Sequence, residues 1–175
     1  MKQALLLITL FIMLAGCGGK TTTGQSDTTA VADTLNYPFK PKYGINWVRG
    51  DEKNALIVLN SLKKYVDGDV KGALENFADT VVFTTDNFYY KGTRDSLAPI
   101  LIKGRAEFAT VTKEFETWLT IYYPEKKDTW VTLLYTEKWT DKAGKSDSLN
   151  YIDDVLLKDG KIVKYQENVR HYVGK

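Results

Sequence analysis

From Asn54 to Phe83 the apolar positions fall into two helical stripes followed by an alternation. Ala55, Leu59, Leu62 and Val66 recur at steps of four, three and four, which sets one apolar face on a helix. Val70, Ala73, Leu74 and Phe77 repeat the pattern. Between the stripes, Gly68 suits the positive φ that ends a helix, and Asp69 can accept from the free amides that begin the next. After Asp79 the period drops to two, with Val81 and Phe83 alternating against Val82 and Thr84, so a strand is predicted there. Tyr89–Thr93 reads as a turn, and Thr93 or Asp95 as the cap of a third helix over about Ser96–Phe108, with Pro99 near its start. Four strand-like segments follow, Val111–Tyr123, Thr129–Asp141, Ser148–Lys158 and Lys161–Val173, rich in Thr, Val, Tyr, Trp and Ile. Asp159-Gly160 carries the signature of a type I′ hairpin turn. Helices first and an antiparallel meander after them predict an α+β domain, with the helices on one face of a curved sheet.

The ends add a different kind of information. Met1–Gly16 has one cation, Lys2, and an apolar run from Ala4 to Leu14 that is short of the roughly 20 residues a helix needs to span a bilayer. It reads as a secretory signal, and Leu14-Ala15-Gly16-Cys17 is similar to a bacterial lipobox, whose cysteine is lipidated. By resemblance to enterobacterial lipoproteins, Gly18 in place of Asp implies the outer membrane of the cell envelope. Residues 17–36 are rich in Gly, Thr and Ser and are expected to form a flexible tether. Residues 37–49 hold Tyr37, Phe39, Tyr43 and Trp47 among two prolines and are expected to form an extended aromatic arm packed on a domain spanning 50–175.

Charge and composition narrow the function. The formal net charge of +2 shows no clustered basic surface, which argues against a nucleic-acid partner. One Cys and one His make a transition-metal site improbable, and neither a metal nor a cofactor is expected. With one Cys there is no disulfide within a chain.

Four motifs, in order, carry a resemblance: GD-x-x-x-A-L-x-x-F-A-D-x-V-V-F (Gly68–Phe83), K-G-T-x-D-S-L (Lys91–Leu97), W-T-D-K-x-G-K (Trp139–Lys145) and K-D-G-K-I-V (Lys158–Val163). They resemble the nuclear transport factor 2-like (NTF2-like) superfamily, in its SnoaL-like branch, over about Gly50–Val173. The resemblance implies an NTF2-like cone with three N-terminal helices packed on a curved antiparallel sheet, a pocket between them, and a homodimer paired through the sheet.

In ketosteroid isomerase, a member of that superfamily, a base on the first strand, a tyrosine on the first helix and a late aspartate act together. Counted from Gly68-Asp69, these positions fall on Thr85, Ser61 and Asp153, so only the aspartate is matched. Asp86 would need a bulge to turn inward. Cyclases of the superfamily pair a histidine with an aspartate, and the one histidine is His171. Asp153 shares a strand face with Tyr151, Val155 and Leu157, whereas Asp154 faces the other way. The catalytic candidates are therefore Asp86, Asp153 and His171. The candidates for lining a ligand are Tyr65, Trp118, Trp130, Tyr151 and Asp153, with Tyr135 and Trp139 as further rings. The expectation is a lipid-anchored envelope protein whose domain binds a small apolar ligand, or dimerises, without catalysis. An isomerase or dehydratase using a pocket Asp and an adaptor presenting its sheet to another protein are the alternatives.

Overall fold

The computed structural model describes residues 36–171. The expected signal segment, Cys17 and the expected tether up to residue 35 lie outside the described residues. From Val48 onward the order is β1 (Val48–Arg49), α1 (Glu52–Val66), α2 (Val70–Leu74), β2 (Phe77–Thr84), β3 (Tyr89–Thr93), α3 (Arg94–Arg105), β4 (Phe108–Tyr123), β5 (Asp128–Asp141), β6 (Ser146–Lys158) and β7 (Lys161–Arg170).

Each helix begins and ends on chemistry visible in the sequence. Asp51 caps α1 by accepting from the Lys53 amide at 2.9 Å. At the other end Gly68, at φ +88°, lets its own amide bond the Tyr65 carbonyl (2.9 Å) and the Asp69 amide bond the Lys64 carbonyl (2.8 Å). That pair of reversed bonds is a Schellman closure, and it hands the chain straight to α2, where Asp69 accepts from the Gly72 amide at 2.9 Å. Thr93 caps α3. The helix starts two residues before the expected boundary and ends at Arg105, which donates to the carbonyls of Tyr65, Val66 and Phe108 at 2.8–3.1 Å. One guanidinium thus satisfies the open end of α1 and fastens it to the start of β4.

The seven strands form one curved, unclosed sheet in the order β1-β4-β5-β6-β7-β2-β3. The meander β4–β7 is antiparallel, as the sequence predicts, and Asp159 and Gly160 both take the positive φ of the expected turn. Three features differ from the expectation. The second helix stops at Leu74, so Phe77, placed on its apolar stripe by period, opens β2 instead. Tyr89–Thr93 is a strand paired to β2, and β2 pairs with β7 in parallel, closing the sheet's second half through a contact some 80 residues apart in sequence. Register shifts within β4 near Phe115–Thr117 and between β6 and β7 near Leu156–Leu157 bend the strands around the helices.

The helices cover one face, and the core lies between them and the sheet. Leu97, Leu133, Val58, Val131, Val155 and Ile162 are fully buried, each worth about 1.5–3 kcal/mol in apolar area removed from water. The arm at 37–49 is held at several places, Asn46 donating to Glu125 and Lys126 to the Lys42 carbonyl among them. The Tyr43 ring packs on Tyr123 and Trp130, and its hydroxyl donates to Asp128; Val48 and Arg49 then pair with β4. Tyr37, Phe39 and Trp47 are exposed. Among the described residues, no helix is long and apolar enough to cross a membrane.

Candidate functional site

A cavity of about 270 Å³ opens between the helices and the concave sheet. Leu62, Ala73, Leu74 and Leu101 from the three helices form its helical wall, and Phe77, Phe83 and Phe108 close its sides. Ser61 and Thr85 also line it, and Ser61 accepts a hydrogen bond from Asn76 at 3.0 Å. Its polar groups come from the sheet and from one helical tyrosine: Lys113, Glu137, Tyr151, Tyr165, Glu167 and Tyr65.

Strand register explains why these groups converge. Lys113 on β4 is opposite Glu137 on β5, and Asp153 on β6 is opposite Glu167 on β7, so each pair shares a face of the sheet. The Lys113 ammonium is ion-paired with the Glu137 carboxylate, and both side chains are largely buried. It also donates to the Tyr135 hydroxyl at 3.0 Å. That hydroxyl donates to Asp153 Oδ2 at 2.8 Å, and the Tyr165 hydroxyl donates to the same oxygen. A continuous polar chain therefore runs Glu137, Lys113, Tyr135, Asp153, Tyr165. The Tyr135 and Tyr151 rings stack at 5.3 Å, and Lys113 sits 4.1 Å above the first of them.

Asp153 has no exposed surface, and its Oδ1 has no hydrogen-bond partner. Burial raises its carboxyl from 3.8 to about 6; the Tyr165 bond, the Lys113 charge and the Tyr135 bond pull the other way. Glu167 is raised further, to about 8, first by burial and then by the charge of Asp153. Near neutral pH it is therefore mostly protonated. No protein hydrogen bond engages its carboxyl or the hydroxyls of Tyr65 and Tyr151 among the described residues. Burial, then the neighbouring Glu137 and Glu167, raises Tyr65 to about 12 and Tyr151 further. Both phenols stay neutral under ordinary conditions.

The structure separates the sequence candidates. Tyr65 and Tyr151 line the cavity, and Asp153 lies behind its wall, reached through Tyr165. Asp86 lies in the turn after β2, outside the cavity lining, and its carboxylate meets the His171 ring; both side chains are exposed. Asp86 and His171 are therefore together, but apart from Asp153. Trp130 packs against Tyr43 and Trp118 against Phe115, and neither lines the cavity. Trp139 packs on Phe108. Asp154 accepts from Thr132 at 2.6 Å on the opposite face from Asp153. Among the described residues, no three His, Cys, Asp or Glu side chains are placed to hold a metal ion.

The sequence matches no family model and no curated protein. Solved structures do match, with TM-scores of 0.50–0.58. An NTF2-like protein of unknown function from Burkholderia pseudomallei aligns at TM-score 0.54 and 17% identity, over 67% of this chain and 90% of that one. An LEH-like epoxide hydrolase from M. tuberculosis aligns at 0.56 and 12%, over 67% and 83%. A proposed polyketide cyclase from Xanthomonas campestris pv. campestris aligns at 0.52 and 13%, over 68% and 91%. The fold is the NTF2-like fold. At these identities the likeness concerns the backbone, and this NTF2-like domain's chemistry rests on its own side chains.

Four of those side chains, Lys113, Glu137, Tyr165 and Glu167, are absent from the sequence candidates. Lys113 shares a strand face with Val111 and Phe115, and Glu137 with Leu133 and Tyr135, so strand period two carries a signal for both. For Glu167 the signal was broken. Ile162 and Tyr165 are both buried although three residues apart, because the register shift near Leu156–Leu157 adds a residue to β7. Counting by twos from Ile162 turns Glu167 outward, whereas the structure turns it in.

Proposed function

We propose that the domain holds one small molecule with an apolar body and a single polar head, and binds it without turning it over. The body would fill the ring-lined part of the cavity, and the head would meet Glu167, Tyr65 and Tyr151. The observation that carries this reading is a hollow of about 270 Å³ whose wall presents polar groups unengaged by the protein. Binding alone is favoured because the other acid–base groups are occupied: Asp153 is sealed behind Tyr165 and Tyr135, and Lys113 and Glu137 neutralise each other. The competing reading, an acid–base enzyme of the isomerase or dehydratase kind, draws on the Asp153 and Glu167 carboxyls, whose proton affinities differ, and on the enzyme names among the structural neighbours. We further propose that the mature chain is anchored in the cell envelope through lipidated Cys17 and pairs as a homodimer.

Native mass spectrometry of the intact purified chain, beside Ala73→Met, tests the binding reading. Ala73 lines the cavity, and a methionine there would fill it. The expected result is a co-purifying small molecule on the natural chain that is lost from the variant. An adduct retained at equal occupancy by Ala73→Met would place the ligand elsewhere, and conversion of the extracted compound on adding fresh protein would favour the enzyme.

A further inference from the structure

The charges around the cavity do not balance. Its wall contributes two carboxyls, Glu137 and Glu167, and one ammonium, Lys113. Behind the wall, Asp153 adds a third carboxyl with an oxygen that no donor reaches. Asp86 adds a fourth carboxylate on the side of Glu167, partly offset by His171 when that ring is charged. Arg105, whose charge reaches the Tyr65 hydroxyl, is spent on three backbone carbonyls at the end of α1 and the start of β4. The remaining titratable groups facing Glu167 are the neutral phenols of Tyr65, Tyr151, Tyr135 and Tyr165. With its carboxyls ionised, the hollow is therefore short of positive charge, and it is walled by aromatic rings.

We infer that the head of the ligand is a cation: the cavity takes a small amine whose ammonium sits against Glu167 between the Tyr65 and Tyr151 hydroxyls, with an apolar or aromatic body toward Phe77, Phe83 and Leu101. This deepens the cavity reading proposed above and rests on it. An ammonium has three N–H donors and no acceptor. The unengaged groups offer enough acceptors for all three, the two oxygens of the Glu167 carboxylate and two phenolic oxygens. The faces of the surrounding rings supply the negative quadrupole that a cation favours. An anionic head would instead face the charge of buried Asp153, with Lys113 already paired to Glu137.

A proton balance follows. Unoccupied, the site holds a proton on Glu167 because burial, and after it the charge of Asp153, disfavours the ionised carboxyl. An arriving ammonium stabilises the ionised form, so the Glu167 proton leaves to solvent as the amine binds. Amine affinity accordingly rises with pH, about tenfold per unit, up to about pH 8, and levels off above it.

The test is calorimetric titration of the intact, detergent-solubilised chain with three probes that share one body: 2-phenylethylamine, 2-phenylethanol and phenylacetate. The expected order is amine first, the alcohol about tenfold weaker, and the acid not binding. At pH 7, titrations in buffers of different ionisation enthalpy should show about one proton released per amine and none per alcohol. Glu167→Gln, which keeps size and shape, should weaken the amine about tenfold and leave the alcohol within about twofold. Equal binding of amine and alcohol, or amine binding with no proton released, overturns the cationic head and leaves the cavity reading standing. Failure of all three probes overturns both. The probe order and proton count are measured on the natural chain, so they decide the matter even if Glu167→Gln does not fold.

Discussion

Asp153 and Glu167 face each other across β6 and β7, and their environment holds protons on them more tightly than an unfolded chain would. The consequence for stability has a definite sign. A carboxyl raised on folding binds more protons in the folded state, so stability falls as pH rises from the unfolded value to the folded one. For Asp153 the window runs from about 4 to about 6, and the loss is about 3 kcal/mol. For Glu167 it extends to about 8. Thermal melts from pH 4 to 8 should therefore show a falling midpoint, flattened over the lower part of the range by Asp153→Asn and over the upper part by Glu167→Gln. A midpoint that climbs across that range in the natural chain would contradict the placement of both groups. Tyr165→Phe removes a donor from a buried carboxylate and should cost about 1–3 kcal/mol in urea denaturation at pH 7, with a smaller cost at pH 4.5, where Asp153 is protonated. Asp153 was visible in the sequence, because a lone acid among Tyr151, Val155 and Leu157 is conspicuous under strand alternation. Its neighbours Lys113 and Glu137 stand out less, because charged strand residues ordinarily face water.

The local patterns of the elements were largely legible because helices and hairpins are specified by nearby residues. Ala55, Leu62, Val70 and Leu74 all lie in the core, and Gly68, Asp69, Thr93 and the Asp159-Gly160 turn do the work their types suggest. The linkage of α1 to α2 gives a compact test. A Cβ at Gly72 would lie 2.0 Å from the Asp69 carboxylate, so Gly72→Ala and Asp69→Ala disturb the same cap. Each should cost about 1 kcal/mol, and the double variant should cost clearly less than their sum. Additive losses in urea denaturation would show that the cap does not join them. Arg105→Ala should be costlier, about 1–3 kcal/mol, since it strips donors from three carbonyls in two elements. What could not be read locally were pairings between distant segments. The parallel match of β2 with β7 is long-range, and the added residue in β7 leaves no mark in composition. That shift hid Glu167, one of the two acids that line the cavity.

For the whole molecule, a curved sheet under three helices leaves a hollow because the strands bend away from the helical layer over their length. The plan of the cone was legible from element order and four motifs, whereas the ligand was not, since one such backbone serves proteins of different activities. The outer face of the sheet exposes Leu119 and Ile152, which fits the proposed homodimer. Analytical ultracentrifugation should give a dimer mass for the natural chain and a monomer mass for Leu119→Lys/Ile152→Lys. Anchoring is checked by expressing Cys17→Ala, which should move the protein from the membrane fraction to the soluble one and abolish incorporation of a labelled fatty acid. The proposed function requires the hollow to be the place where a small molecule is held. Methyl NMR of the intact chain titrated with 2-phenylethylamine addresses that directly: shifts should concentrate on Leu62, Ala73, Leu74 and Leu101 and spare Leu119 and Ile152. Shifts confined to Leu119 and Ile152, with the cavity methyls unmoved, would contradict it.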